Sequence, residues 1–168
     1  MRHRSECAAQ PRTKPGREPA GWRAPLNSTL GVRRGEYAKL RSALELHDSR
    51  VSRIELLDGL AMIHFSHAYV HKSKGTPGRD PGTGWSQEAK LVLWEATASA
   101  PLPPLPNTIS EGFLEVGGIR HELIPLPFKR KVGAKLYLTF VDGVQTEIAG
   151  NRPLIELLGT PIYLEDFS

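Results

Sequence analysis

The sequence predicts an α+β, mainly β protein, with an antiparallel sheet of about eight or nine strands and one short amino-terminal helix. Two observations carry this prediction. Short segments alternate between apolar and polar residues, and several of them are joined by dipeptides that favour tight hairpins, which make neighbouring strands antiparallel. Such a chain fits a small sandwich, or a partly open barrel with the helix over one opening.

Three dipeptides predict hairpins because Asp-Gly and Gly-Gly tolerate the positive φ angles of two-residue turns. Further strands are predicted from alternation alone, and the last of them should place Tyr163, Glu165 and Phe167 on one face. The hairpins are Asp58-Gly59 between residues 51–57 and 60–65, Gly117-Gly118 between 113–116 and 119–124, and Asp142-Gly143 between 136–141 and 144–148. The further strands are residues 89–96, 154–158 and 162–167, with Gly159-Thr160-Pro161 interrupting the last two.

A single helix is predicted at Glu36–Leu46, where good helix formers accompany Leu40 and Leu44 at helical spacing. It should end before residues that favour turns. Asp48 or Ser49 is therefore expected to cap the helix end, or the turn into the first strand, through its side-chain oxygen.

The basic charge of the chain is concentrated in residues 1–35, which hold 8 Lys and Arg against 2 acids, whereas the remainder holds 14 against 16. This segment is rich in Arg, Pro and Gly and poor in apolar residues, so it is predicted to be a disordered basic tail before a single β-rich domain at residues 36–168. A nucleic-acid partner is not expected, except weakly through this tail.

Cysteine usage and hydropathy favour a cytoplasmic protein. Cys7 is the single cysteine, so no intramolecular disulfide forms. No apolar stretch approaches the roughly 20 residues of a spanning helix, and no secretion signal follows the basic start. No membrane partner is therefore expected.

Three histidines, His64, His67 and His71, form the most suggestive metal constellation. In a strand, His64 and His67 face opposite sides, while His67 and His71 lie about 13 Å apart, too far to share a zinc ion. Only a helix would bring the three together. The favoured interpretation is therefore no metal and no cofactor, with His64 and His71 exposed and His67 partly buried.

The Gly- and Pro-rich segment Ser73–Trp85 is predicted to be a long loop between strands, the kind of place where binding residues concentrate. It lacks the Gly-Lys-Ser/Thr ending of a phosphate loop. Arg79, Asp80 and Trp85 are its candidate partner-binding residues, although a purely structural role is also open to each.

Catalysis has little support in the sequence. His47, Asp48 and a serine stand side by side, but adjacency does not create triad geometry, and no Gly-x-Ser-x-Gly elbow is present. The alternative function is a small-ligand-binding β domain or a metal-dependent enzyme using histidines. It requires His47, Asp48, His67 and His121 to converge in one pocket.

Two segments, Leu46–Val51 leading into a hairpin and Gly159–Phe167 closing the chain, resemble small β-rich bacterial proteins of uncharacterised families, some grouped with immunity proteins of polymorphic toxin systems. The resemblance would cover about residues 36–168. It implies a protein that binds and neutralises a cognate toxin and carries no catalytic residues. The function predicted from the sequence is therefore a non-enzymatic protein-binding module, in its specific form immunity-like.

Overall fold

A computed structural model describes residues 40–99 and 101–168 as one antiparallel sheet of nine strands. The mainly β, antiparallel prediction is confirmed. These residues contain no helix. They therefore contain no helix that is long and apolar enough to cross a membrane. The strands are β1 (Arg41–Leu57), β2 (Leu60–Ser73), β3 (Gly82–Ala98), β4 (Asn107–Val116), β5 (Ile119–His121), β6 (Leu123–Leu126), β7 (Phe128–Lys129), β8 (Gly133–Phe140) and β9 (Gln145–Phe167).

The sheet bends into a partial ring. Its strand order is β5-β4-β8-β9-β3-β2-β1-β6, with β7 beside β9. Two further residue pairs, Arg50 with Thr108 and Val51 with Asn107, join β1 to β4 and bring the path back on itself. This arrangement is only partly ring-like and is not a barrel.

The core is one cluster of buried apolar side chains and is built by alternation along the strands. In β8 the alternate residues Leu136, Leu138 and Phe140 share one face, and all three side chains are buried. Each buried side chain of this size contributes about 1.5–3 kcal/mol of transfer free energy. The largest fully buried side chains are Leu44, Leu46, Ile63, Leu91, Leu93, Ile109, Leu114, Ile124, Phe128, Leu136, Phe140 and Ile148.

The helix predicted at Glu36–Leu46 is wrong over the part that the structure describes, because β1 begins at Arg41. Residues 36–39 lie outside the described residues. Leu44 pairs with Val70 of β2 on one side and with Ile124 of β6 on the other, and its side chain is fully buried. Pairing on both edges and burial of alternate leucines override the helix propensity of this segment.

The predicted hairpin turns are confirmed. Asp58 and Gly59 have φ angles of 50° and 75°, and Leu57 pairs with Leu60 across them. Gly117-Gly118 likewise joins β4 to β5. The Asp142-Gly143 turn is wider, since the last pair is Thr139 with Gln145.

Strand β9 runs through Gly159-Thr160-Pro161, so the interruption predicted there is wrong. The three residues form a bulge opposite Gln87 of β3, between the pairs Ser86 with Ile162 and Glu88 with Leu158. The Gln87 side-chain amide donates to the carbonyl oxygens of Leu158 and Gly159, at 3.2 and 3.3 Å. Two backbone acceptors freed by the bulge thereby gain a donor.

Candidate functional site

The predicted partner-binding residues Arg79 and Asp80 lie in a short turn between β2 and β3. The Asp80 carboxylate accepts a hydrogen bond from the Thr76 backbone N–H at 2.5 Å, and the Arg79 and Asp80 backbone N–H groups donate to the Thr76 carbonyl oxygen. Asp80 therefore closes the turn, and Arg79 is exposed beside it. The predicted loop is shorter than expected, because β3 already begins at Gly82.

Trp85, the third predicted residue, lies on β3 and is half-buried. Its indole N–H donates to the Thr83 hydroxyl at 2.7 Å, and the Lys72 ammonium lies 4.1 Å from the ring centroid. Burial lowers the pKa of Lys72. The indole also packs edge-on against the Tyr163 ring, with 5.6 Å between centroids. Trp85 therefore contacts strand β9 directly.

The carboxyl-terminal half of β9 is an unpaired strand edge. Residues 154–167 pair with β3 on one side. On the other side, β8 pairs with residues 145–151 and β7 with Leu154 and Ile155. Beyond that point no strand of the described chain pairs with this side of residues 156–167, which we call the β9 edge.

The β9 edge presents apolar side chains to solvent. Ile162 is 65% exposed, and no charged residue occurs between Leu157 and Leu164. Pro161 lacks a backbone N–H and the Gly159-Thr160-Pro161 bulge divides this edge, so the uncharged, apolar backbone available for pairing with another chain is the part on either side of the bulge. The exposed apolar residues of the edge are Leu157, Leu158, Ile162, Tyr163 and Leu164.

A second bulge near the end of β9 places the side chains of Tyr163 and Glu165 on opposite faces of the sheet. Tyr163 contacts Trp85, whereas Glu165 accepts a 2.6 Å hydrogen bond from the Tyr69 hydroxyl. Trp85 pairs with Val70, the residue after Tyr69, so Trp85 and Tyr69 point to opposite faces. The prediction that Tyr163 and Glu165 share a face is therefore wrong, because the pairing shifts between Gly84 and Trp85.

Gly84 of β3 lets side chains of β2 and β9 touch across the strand between them. A Cβ on Gly84 would overlap the Tyr69 hydroxyl. Without that side chain, Tyr69 reaches Glu165. The pKa of Tyr69 is raised well above its ordinary value, first by burial and then by the hydrogen bond to Glu165.

The His71 ring stands beside this contact. It packs 4.9 Å from the Tyr69 ring and 5.1 Å from the Phe167 ring. Its Nε2 lies 2.5 Å from a Glu45 carboxylate oxygen, and its side chain is only 12% exposed. The prediction that His71 is exposed is therefore wrong, because aromatic rings from β2 and β9 cover it.

The other two histidines of the suggested metal constellation have different partners. His64 Nε2 lies 3.0 Å from Glu55, and a 2.7 Å hydrogen bond joins His67 Nδ1 to the Ser86 hydroxyl. The strand predicted for this segment is confirmed as β2. In the described parts of the chain no three His, Cys, Asp or Glu side chains are placed to hold a metal ion.

The four residues of the enzymatic alternative make contacts in different places. His47 Nδ1 lies 2.6 Å from the Ser110 carbonyl oxygen, and its Nε2 lies 3.3 Å from Asp48. His121 instead packs on Phe128, with 5.7 Å between centroids, and burial followed by the Arg130 charge lowers its pKa. His67 bonds to β3, so no single pocket gathers the set.

Ser49 and Asp48 lie in a bulge of β1, so there is no helix end for them to cap. Asp48 has a φ of 60°, and the pairing of β1 with β2 shifts between Glu45 and Arg50. The buried Ser49 hydroxyl donates to the Glu45 carbonyl oxygen at 2.6 Å and accepts from the Tyr69 N–H at 2.9 Å. Ser49 thus bridges the two strands where their ladder is interrupted.

A polar cleft of about 380 Å³ opens between β1, β4, β8 and the β5–β6 turn. The Phe113 and Tyr137 rings stack across β4 and β8, with 4.4 Å between centroids. His47 is the one cleft residue that was a candidate from the sequence. The cleft is lined by Glu45, His47, Glu111, Gly112, Phe113, Arg120, Glu122, Tyr137 and Thr139.

Neither the β9 edge nor most of the cleft was predicted from the sequence. For the edge a signal was present, since residues 157–164 carry no charge and have strand-forming residues on the carboxyl-terminal side of Pro161. The cleft residues come from separate strands and carried no local motif. No family model matches this chain, and no curated protein or solved structure matches it.

Proposed function

We propose that this chain is a non-enzymatic protein-binding module that receives an extended segment of a partner protein along the β9 edge. The observation that carries the proposal is the unpaired backbone of residues 156–167 with its apolar side chains exposed. In strand addition of this kind, main-chain hydrogen bonds supply affinity and alternate side chains supply specificity.

The side chains beside the edge define the chemistry of the partner. Trp85 and Tyr163 form an aromatic anchor of the type that dominates binding energy at interfaces. Glu165 and Asp166 follow the uncharged run at its far end. The complementary segment is therefore extended and apolar, with a basic residue at the end that meets these carboxylates.

In its more specific form, the proposal makes the partner a cognate toxin that the module neutralises. The resemblance of the segments Leu46–Val51 and Gly159–Phe167 to immunity-grouped β-rich proteins supports this form. Neutralisation requires no catalytic group in the module, only occupancy of a surface that the toxin needs.

Site-specific photocrosslinking in the full-length chain tests the proposal. Replacing Ile162 with p-benzoyl-L-phenylalanine should capture a protein from a lysate of the source organism. The same replacement at Leu57 is the matched control, since both residues are 65% exposed at unpaired strand edges. The captured protein is then purified, and its dissociation constant is measured for the unmodified chain, Ile162→Lys and Leu57→Lys.

We expect capture at position 162 alone. The dissociation constant should be at least tenfold larger for Ile162→Lys than for the unmodified chain, which is a loss of about 1.4 kcal/mol of binding free energy. Leu57→Lys should bind within about twofold of the unmodified chain. Capture of the same protein at both positions, capture only of a second copy of this chain, or equal affinities for the three chains would contradict the proposal.

A further inference from the structure

We infer that the cleft described above binds a guanidinium group. This site lies on β1, β4, β5 and β8, away from the β9 edge, and does not depend on the proposed function. Its volume of about 380 Å³ is in the range of small-molecule sites, about 300–1,000 Å³.

The cleft already holds one guanidinium, that of Arg120. Its central carbon lies 3.9 Å from the centroid of the Phe113 ring, and one of its nitrogens lies 2.9 Å from a Glu122 carboxylate oxygen. An aromatic face and a carboxylate together are the pair of contacts that planar cations favour. The contacts of Arg120 within the chain are thus the same two kinds of contact that we infer for the guanidinium of a ligand.

A second aromatic ring and a second carboxylate extend this arrangement. Tyr137 stacks on Phe113, and Glu111 stands two residues from Phe113 on the same face of β4. The Glu111 side chain is exposed and makes no hydrogen bond or ion pair within the described chain. It is therefore open to a ligand, whereas the Glu122 carboxylate is occupied by Arg120.

The charge of the cleft favours a cation. The carboxylates of Glu45, Glu111 and Glu122 and the guanidinium of Arg120 line the cleft, and the Glu45 carboxylate also contacts His71 Nε2. The three carboxylates of the lining outnumber its one guanidinium by two, which attracts a cation and opposes an anion.

A titration with matched probes tests the inference on the full-length chain. The probe is n-butylguanidinium, and its neutral isostere n-butylurea is the control. Backbone amide shifts of Gly112 and Phe113 are followed by NMR for the unmodified chain, Glu111→Gln and Glu88→Gln. Glu88 is also an exposed strand glutamate, but it lies outside the cleft.

We expect saturable shifts with n-butylguanidinium, at least tenfold weaker binding of n-butylurea, and binding weakened at least fivefold in Glu111→Gln but unchanged in Glu88→Gln. Tyr137→Leu, checked for folding by its melting temperature, should also weaken binding because it removes an aromatic face. No saturation up to about 10 mM, or equal binding of the two probes, or equal loss in both glutamine variants, would overturn the inference.

An acetylated and amidated Gly-Arg-Gly peptide distinguishes two sources of the guanidinium. Tighter binding of the peptide than of n-butylguanidinium supports an arginine side chain of a protein. Tighter binding of n-butylguanidinium supports a free small molecule, because the peptide backbone then finds no room at the cleft.

Discussion

Ser49 shows how a single buried hydroxyl holds two strands together where their ladder is interrupted. Asp48 occupies a left-handed conformation, and the backbone between Glu45 and Arg50 bulges away from β2. The Ser49 hydroxyl satisfies one acceptor on β1 and one donor on β2. A buried backbone group left without a partner costs about 1–3 kcal/mol, so this side chain matters out of proportion to its size.

We therefore predict that Ser49→Ala lowers the free energy of unfolding by about 1–3 kcal/mol, since it orphans the Glu45 carbonyl and the Tyr69 N–H. The matched control is Ser52→Ala, which removes one hydroxyl hydrogen bond at an exposed position of the same strand. Urea denaturation of both variants checks this. A loss in Ser49→Ala no larger than that in Ser52→Ala would contradict the bridging role.

Tyr69 supplies a pH-dependent contribution to stability. Burial, and then the hydrogen bond to Glu165, raise its pKa in the folded state above the ordinary value of about 10. A raised tyrosine pKa means that the folded chain holds the proton more tightly than the unfolded chain. This contribution is present in full below pH about 10 and is lost as the pH rises toward the folded-state pKa.

We expect the free energy of unfolding to decline above pH about 10, and to decline less steeply in Tyr69→Phe, which has no proton to lose. Denaturation at stepwise alkaline pH, with phenolate absorbance followed in parallel, measures this. Parallel declines in the unmodified chain and Tyr69→Phe would show that Tyr69 is not the group responsible.

At the scale of strands, the hairpin turns could be predicted from local sequence. Strand pairing between residues that are remote in sequence could not. Asp58-Gly59 and Gly117-Gly118 specify their hairpins within a few residues. The predicted helix failed because the partners that make Arg41–Leu46 a strand lie in β2 and β6, remote in sequence. Gly159-Thr160-Pro161 was misjudged for a similar reason, since the Gln87 side chain supports the bulge.

Gly84 of β3 allows a test of how closely the side chains of β2 and β9 approach the strand between them. We predict that Gly84→Ala costs about 1–3 kcal/mol of unfolding free energy, because its Cβ would lie 2.8 Å from Tyr69 Cζ and 3.2 Å from Glu165 Cγ. Gly133→Ala is the control, since its nearest atom would be 3.5 Å away, and should change stability by less than about 0.5 kcal/mol.

Thermal or urea denaturation of the two glycine variants decides this, with the Tyr69 hydroxyl signal followed by NMR. Equal stabilities for Gly84→Ala and Gly133→Ala, with the Tyr69–Glu165 hydrogen bond retained, would show that β3 has room for a side chain at position 84.

The unpaired edge segments of β1 and β9 differ in how they face solvent. On β1, the edge after Val51 carries an Arg53–Glu55 ion pair at 3.2 Å, and charged residues protect an edge from pairing with other chains. The β9 edge has no charge between Leu157 and Leu164. This contrast makes the β9 edge the stronger candidate for strand addition, and makes Leu57 its control.

At the scale of the whole molecule, the cleft and the β9 edge are formed by the pairing of strands, and no local sequence motif predicts them. The cleft needs Glu111 and Phe113 of β4 beside Tyr137 of β8, and this juxtaposition follows from a pairing register that the sequence alone did not specify. The β9 edge exists because β8 and β7 end their pairing at residues 151 and 155. The predicted partner residue Trp85 lies next to this edge, whereas Arg79 and Asp80 lie in the preceding turn.

Amide hydrogen exchange on the full-length chain tests the central claim most directly, with residues 156–167 observed alone and with the protein captured at position 162. Among these residues, amides that do not bond to β3 should exchange rapidly in the isolated chain and at least tenfold more slowly in the complex. Slow exchange of those amides in the isolated chain, or unchanged exchange in the complex, would contradict strand addition at the β9 edge.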